Sequence, residues 1–140
     1  MTRARRPTAR ARESWTSFRA NARMHLQDAQ NKLALLEAGA NAKGIAADAV
    51  LAAIAYGDAI TVQRLGEHNV NDHAGLPDLV RRALSNGAVP DQITRLARIV
   101  KEKSRAQYGG TAWTREQAED YLEQVRRFGT WAEQMLAESA

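Results

Sequence analysis

Residues Ile45–Val62, IAADAVLAAIAYGDAITV, carry only two charged side chains, Asp48 and Asp58. Apolar or small side chains lie almost all round a helix of this composition. That distribution marks a rod enclosed by other rods rather than one resting on a surface. Seven of its residues are alanine, which lets neighbouring backbones come close, and Leu51, Ile54, Tyr56 and Ile60 supply bulk. The rest of the chain must therefore provide amphipathic helices to wrap it.

Those helices are legible on either side. Trp15, Phe18, Ala22, Leu26, Ala29, Leu33 and Leu36 recur at three- and four-residue intervals, predicting a first helix from Ser14 as N-cap to about Glu37, with Gly39 as its stop. The central helix is expected to end near Gly66. A short third helix turns Leu76, Leu79, Val80, Ala83 and Leu84 inward and Arg81 and Arg82 outward, before Asn86-Gly87 breaks the chain. Pro90 and Asp91 open a fourth, with Ile93, Leu96, Ala97, Val100, Ser104 and Gln107 on one face and Tyr108-Gly109-Gly110 at its end. Thr114-x-x-Gln117 is a capping box for the last helix, whose stripe is Ala118, Tyr121, Leu122, Val125, Phe128, Ala132, Met135 and Leu136. Trp131 lies off the centre of that stripe and is assigned to an interface. No stretch alternates with the period of a strand. The expected fold class is all-α, an up-and-down antiparallel bundle of about five helices.

The 140 residues predict one domain, residues 14–140, preceded by a disordered basic arm, residues 1–13. The high pI of 9.8 belongs to that arm. Arg3, Arg5, Arg6, Arg10 and Arg12 stand there with no acid among the first twelve residues, so the remainder, with 15 Lys and Arg against 16 Asp and Glu, is close to neutral. Such an arm suits a phosphate-backbone tether, in which each neutralised phosphate releases a counterion. Arg98, Lys101 and Arg105 on the fourth helix would extend that surface. A merely solvated tail is the competing reading, since the arm has no aromatic residue for base stacking. Cysteine is absent, which excludes disulfides and thiolate chemistry and agrees with a cytoplasmic location. No apolar run reaches the roughly 18–20 residues of a membrane span, so no membrane association is expected.

The most suggestive loop is EHNVNDH, residues 67–73, with His68, His73 and Asp72. Asp72 stands where an N-cap is wanted, and no further acid or histidine at helical spacing completes a metal set, so neither a metal nor another cofactor is expected. His25 is read as a half-buried structural residue. Gly109-Gly110 lacks the strand–loop–helix context of a phosphate loop, and no serine is marked as a nucleophile. Residue chemistry alone names no catalytic residue.

AAIAYGDAI, LPDLVRRAL, LARIVKEKSRAQYGG and TREQAEDYLEQVRRFGTWAEQML, in that order, resemble the HEPN superfamily of helical bundles over roughly residues 45–137. Many such proteins are metal-independent RNases with an Arg-x4–6-His motif late in the bundle, paired across a symmetric dimer. The resemblance implies a histidine two residues before Tyr108. This chain has Ala106 there, with Lys101 in the nearest arginine-like place, and a methyl group can neither abstract nor donate a proton.

The preferred reading is therefore a non-catalytic HEPN-like bundle acting as a binding or interaction module, associated with RNA, a nucleotide or a protein. Ile99 and Ala106, off the expected core stripe, suggest an apolar patch for a homodimer through the fourth helix. The alternatives are a nucleic-acid-binding protein, using the arm with Arg98, Lys101 and Arg105, and an RNase using Arg19 with His25 or the His68/His73 loop.

Overall fold

A computed structural model describes residues 8–70 and 73–138 of the chain. Among them are six α-helices: α1 (Trp15–Leu35), α2 (Lys43–Leu65), α3 (Leu76–Leu84), α4 (Pro90–Lys101), α5 (Lys103–Gln107) and α6 (Arg115–Glu138). Every residue from Ala52 to Val62 is buried, so α2 is the enclosed axis that its composition demands. By length and composition α2 also passes as a membrane span, because its two aspartates are tolerable in such a run; 78% of its most apolar window is instead covered by the other helices. Covering that surface with protein removes it from water as effectively as lipid would.

Contacts between named residues fix the directions. Lys32 meets Asp48 at 2.8 Å and Phe18 meets His68, so α1 runs antiparallel to α2. Tyr121 on α6 bonds Ile99 and Arg95 bonds Gln124, so α4 runs antiparallel to α6. Ala42 pairs with Trp113, Tyr56 with Glu133 and Gln63 with Leu136, which makes α2 and α6 parallel. The long helices thus go up, down, up and down, with α3 as a short cross-piece. Ala22 and Ala29 of α1 are fully buried against the small face of α2, and Phe128, Ile60, Leu76 and Leu96 fill the centre.

Close packing is concentrated at two glycines. A Cβ on Gly129 would lie 2.9 Å from Tyr56 Cε2, and one on Gly57 would lie 2.8 Å from Leu76 Cδ2. There the Tyr56 ring of α2 lies directly on α6, and the Leu76 side chain of α3 lies directly on α2. Helix ends are closed by side chains from other helices, as free terminal carbonyls require. Arg115 Nη2 donates to Leu36 O beyond α1 at 2.9 Å, while Gln63 Nε2 and Arg64 Nη2 donate to Leu136 O and Met135 O at the end of α6, each at 2.9 Å. The Thr114/Gln117 capping box is made in both directions, at 3.0 and 3.1 Å. At Ser14 the position is right but the chemistry is not, since its hydroxyl bonds Thr16 Oγ1 rather than a backbone amide.

Four expectations need correction. The first is the arm. Thr8–Arg10 form β1, paired antiparallel with β2 (Glu67–Asn69), with Thr8 opposite Asn69, Ala9 opposite His68 and Arg10 opposite Glu67. This ribbon is held by main-chain bonds and needs no apolar alternation, so neither strand shows in the pattern. Residues 1–7 lie outside the described residues. The second is the fourth helix, which breaks at Glu102 into α4 and α5. Its inward face also differs from the expected stripe: Leu96, Ile99, Val100 and Ala106 are buried, Ile99 and Ala106 being 2% and 0% exposed, whereas Ala97 and Ser104 face out. The third follows from it, because the apolar patch that suggested a dimer through this helix is internal. The fourth is Trp131, which is 6% exposed and packs its ring 5.7 Å from Phe128, in the core.

Candidate functional site

The break at Glu102 and the return of the chain through Trp113 open a groove of about 620 Å³ between α4–α5 and α6. Its floor is aromatic. Trp113 is buried, 5.3 Å from the Tyr121 ring, and its Nε1 donates to Arg105 O at 3.3 Å. Tyr121 Oη donates to Ile99 O at 2.6 Å, and burial holds its hydroxyl well above the usual phenol range. The Arg105 guanidinium lies 4.1 Å from the centre of the Trp113 ring. Both rings are therefore locked and covered, and neither offers a free face for a base to stack on.

Four of the five charged side chains lining the groove are paired, the exception among the described residues being Asp120. Glu102 reaches Arg105 at 3.8 Å, and Glu123 reaches Arg126 at 3.9 Å and Arg127 at 3.3 Å. Exposed pairs of this kind contribute only ~0–1 kcal/mol each. Their effect is on specificity: the lining presents alternating signs at short range instead of a single positive field, which suits a protein surface better than a phosphate chain.

The predicted site residues fall in different places. Arg10 is exposed on β1, Arg12 is exposed just beyond it, and Arg3, Arg5 and Arg6 lie outside the described residues. Arg98 and Lys101 are exposed on α4 and have no ion-pair partner among the described residues, whereas Arg105 is committed to Trp113 and Glu102. Arg19 lies over Trp15, 4.9 Å from its ring centre. His25, six residues on, is about 240° round the helix, so α1 sets them apart. His68 rests 5.2 Å from the Phe18 ring with Nδ1 3.0 Å from Asn69 O. His73 opens the short 3₁₀ turn before α3, and Asp72 with its expected cap lies outside the described residues. No group of three metal-ligating side chains occurs among the described residues.

Two polar features escaped the sequence pattern. Glu133 on α6 accepts from Arg23 Nε and Nη2 at 2.7 and 2.8 Å and from Tyr56 Oη at 2.8 Å, which ties three helices together. The Arg23 guanidinium, opposed by partial burial and aided by the Tyr56 hydroxyl, holds the Glu133 carboxyl below its usual range. Asp58, 8% exposed within α2, has an Oδ1 without a hydrogen-bond donor, and burial pushes its carboxyl up to about 7. An aspartate in an apolar run was a visible signal for the latter; the former joins residues far apart in sequence and left none. The chain matches no family model, and no curated protein matches it.

Proposed function

We propose that this chain is a non-catalytic, HEPN-like helical bundle that acts as an interaction module, receiving a protein partner along the groove between α4–α5 and α6. The observation that carries the reading is the groove's lining: a locked aromatic floor rimmed by the paired charges of Glu102 with Arg105 and Glu123 with Arg127, beside Asp120, which has no ion-pair partner among the described residues. Such a surface recognises a complementary pattern of charges. Ala106, where the resemblance implies a general acid–base, is a fully buried methyl. A second copy of the chain is one form the partner can take.

The test is a photo-crosslinking residue placed singly at Gln117 and Gln124, both exposed on the groove side of α6, and at Gln27 on the exposed side of α1, in cells expressing the chain. Crosslinks to one defined protein at the two groove positions and none at Gln27 are expected. Equal crosslinking at all three positions would overturn the reading.

A second reading rests on Arg98 and Lys101, exposed and unpaired on α4 among the described residues, together with Arg10 and Arg12 near the ribbon. It makes the chain a sequence-blind nucleic-acid binder. Anisotropy of a labelled single-stranded RNA, read across a salt series with and without residues 1–12, decides it: unchanged affinity after deletion refutes a tether.

A further inference from the structure

Towards the start of α4, beyond the groove, α4 and α6 enclose a smaller depression of about 340 Å³, lined by Gln92, Arg95, Arg127, Thr130, Trp131 and Gln134. No carboxylate is among them. Arg95 is held in place by two neutral acceptors, its Nε donating to Gln124 Oε1 and its Nη1 to Gln92 Oε1, each at 2.9 Å. Its charge is therefore oriented without being neutralised, and Nη2 is uncommitted among the described residues. Gln92 spends its oxygen on Arg95, which leaves its amide as a donor. Arg127 gives Nε to Glu123 on the groove side, at 3.3 Å, and keeps its terminal nitrogens. Trp131 is 6% exposed, and its Nε1–H is a buried donor with no acceptor among the described residues.

A buried donor without a partner is costly, and a guanidinium oriented by neutral acceptors keeps its charge for a ligand. We infer that this depression is a binding site for a phosphate monoester, gripped by the uncommitted Nη2 of Arg95 and the paired terminal nitrogens of Arg127, with the glutamine amides as further donors. Two guanidinium groups match a dianion better than a single carboxylate, and planar donor pairs fit two phosphate oxygens at once. The hollow has room for the phosphate and a small organic part. Arg127 borders both cavities, but the anion site does not rest on the groove's receiving a protein.

The test follows the three indole N–H signals of the full chain by ¹H–¹⁵N NMR at constant ionic strength, with W131F assigning the one of interest. Inorganic phosphate, adenosine monophosphate and adenosine are the probes. Saturable shifts of the Trp131 signal with the first two, and affinity about tenfold or more weaker in R95Q, are expected. Phosphate alone acting would identify a free-anion site, and the monophosphate binding tighter would identify an ester site; either supports the inference. No saturable shift up to about 10 mM, equal affinity in R95Q, or the same shift with adenosine overturns it. Equilibrium dialysis of radiolabelled phosphate against wild type and R95Q puts the same question without relying on W131F.

Discussion

Asp58→Asn is expected to stabilise the fold, by an amount that grows with pH. The carboxyl lies inside α2, 8% exposed, with Oδ1 unbonded, and burial moves its pKa from the ordinary 3.8 to about 7. A carboxyl whose folded pKa lies above its unfolded value holds extra protons when folded. The native state therefore loses stability as pH rises from about 4 to about 7, and loses no more above that. Each unit inside this window is worth about 1.4 kcal/mol, so the aspartate costs about 3–4 kcal/mol more at pH 7.5 than at pH 4. Asparagine keeps the shape and removes the charge, and whatever its own amide costs is independent of pH. Urea denaturation of both proteins at pH 4, 5.5 and 7.5 should show the D58N advantage widening by about 3 kcal/mol across the series. A difference constant within about 0.5 kcal/mol would refute the reasoning, by showing that Asp58 is charged and accommodated in the native state.

The other predictions address packing, the three-helix tie and the absent imidazole. Gly129→Ala puts a methyl 2.9 Å from the Tyr56 ring, which is pinned through its hydroxyl; a loss of about 1–3 kcal/mol is expected in urea melts, and an unchanged midpoint would show that the ring yields freely. Tyr56→Phe should cost about 1 kcal/mol at pH 7. Because Arg23 and Tyr56 lower the Glu133 pKa, their stabilisation is present above the ordinary carboxylate value and is lost as pH falls through the depressed one. The Tyr56→Phe effect should accordingly shrink in acid, as equilibrium melts at pH 7 and pH 3 will show. Ala106→His forces an imidazole into a fully buried methyl site; the melting temperature should fall and no cleavage of a fluorogenic RNA should appear, whereas gained activity would mean that the position faces a working cleft. Thr114→Ala removes half of the capping box and should cost about 1 kcal/mol, measured by thermal melting.

The sequence was sufficient for what depends on local pattern. Helix periodicity marked α1, α2, α3 and α6 because each buries one stripe, or in α2 the whole circumference, and side-chain spacing on a helix is fixed by its pitch. The end of α2 near Gly66 and Thr114 with Gln117 as a cap were visible for the same reason: the chemistry lies within a few residues. What tertiary structure alone decided depends on partners distant in the chain. The fourth helix carries two overlapping apolar stripes, and only what packs against it selects Leu96, Ile99, Val100 and Ala106 over Ala97 and Ser104 as the buried one. The β1–β2 ribbon joins main-chain groups some sixty residues apart and leaves no trace in side-chain pattern. Arg95 and Arg105 look alike as basic residues of one expected helix, yet Arg105 finds an acid beside it and Arg95 only amides. Charge is written in the sequence, but whether it is neutralised is settled by what the fold brings within a few ångströms.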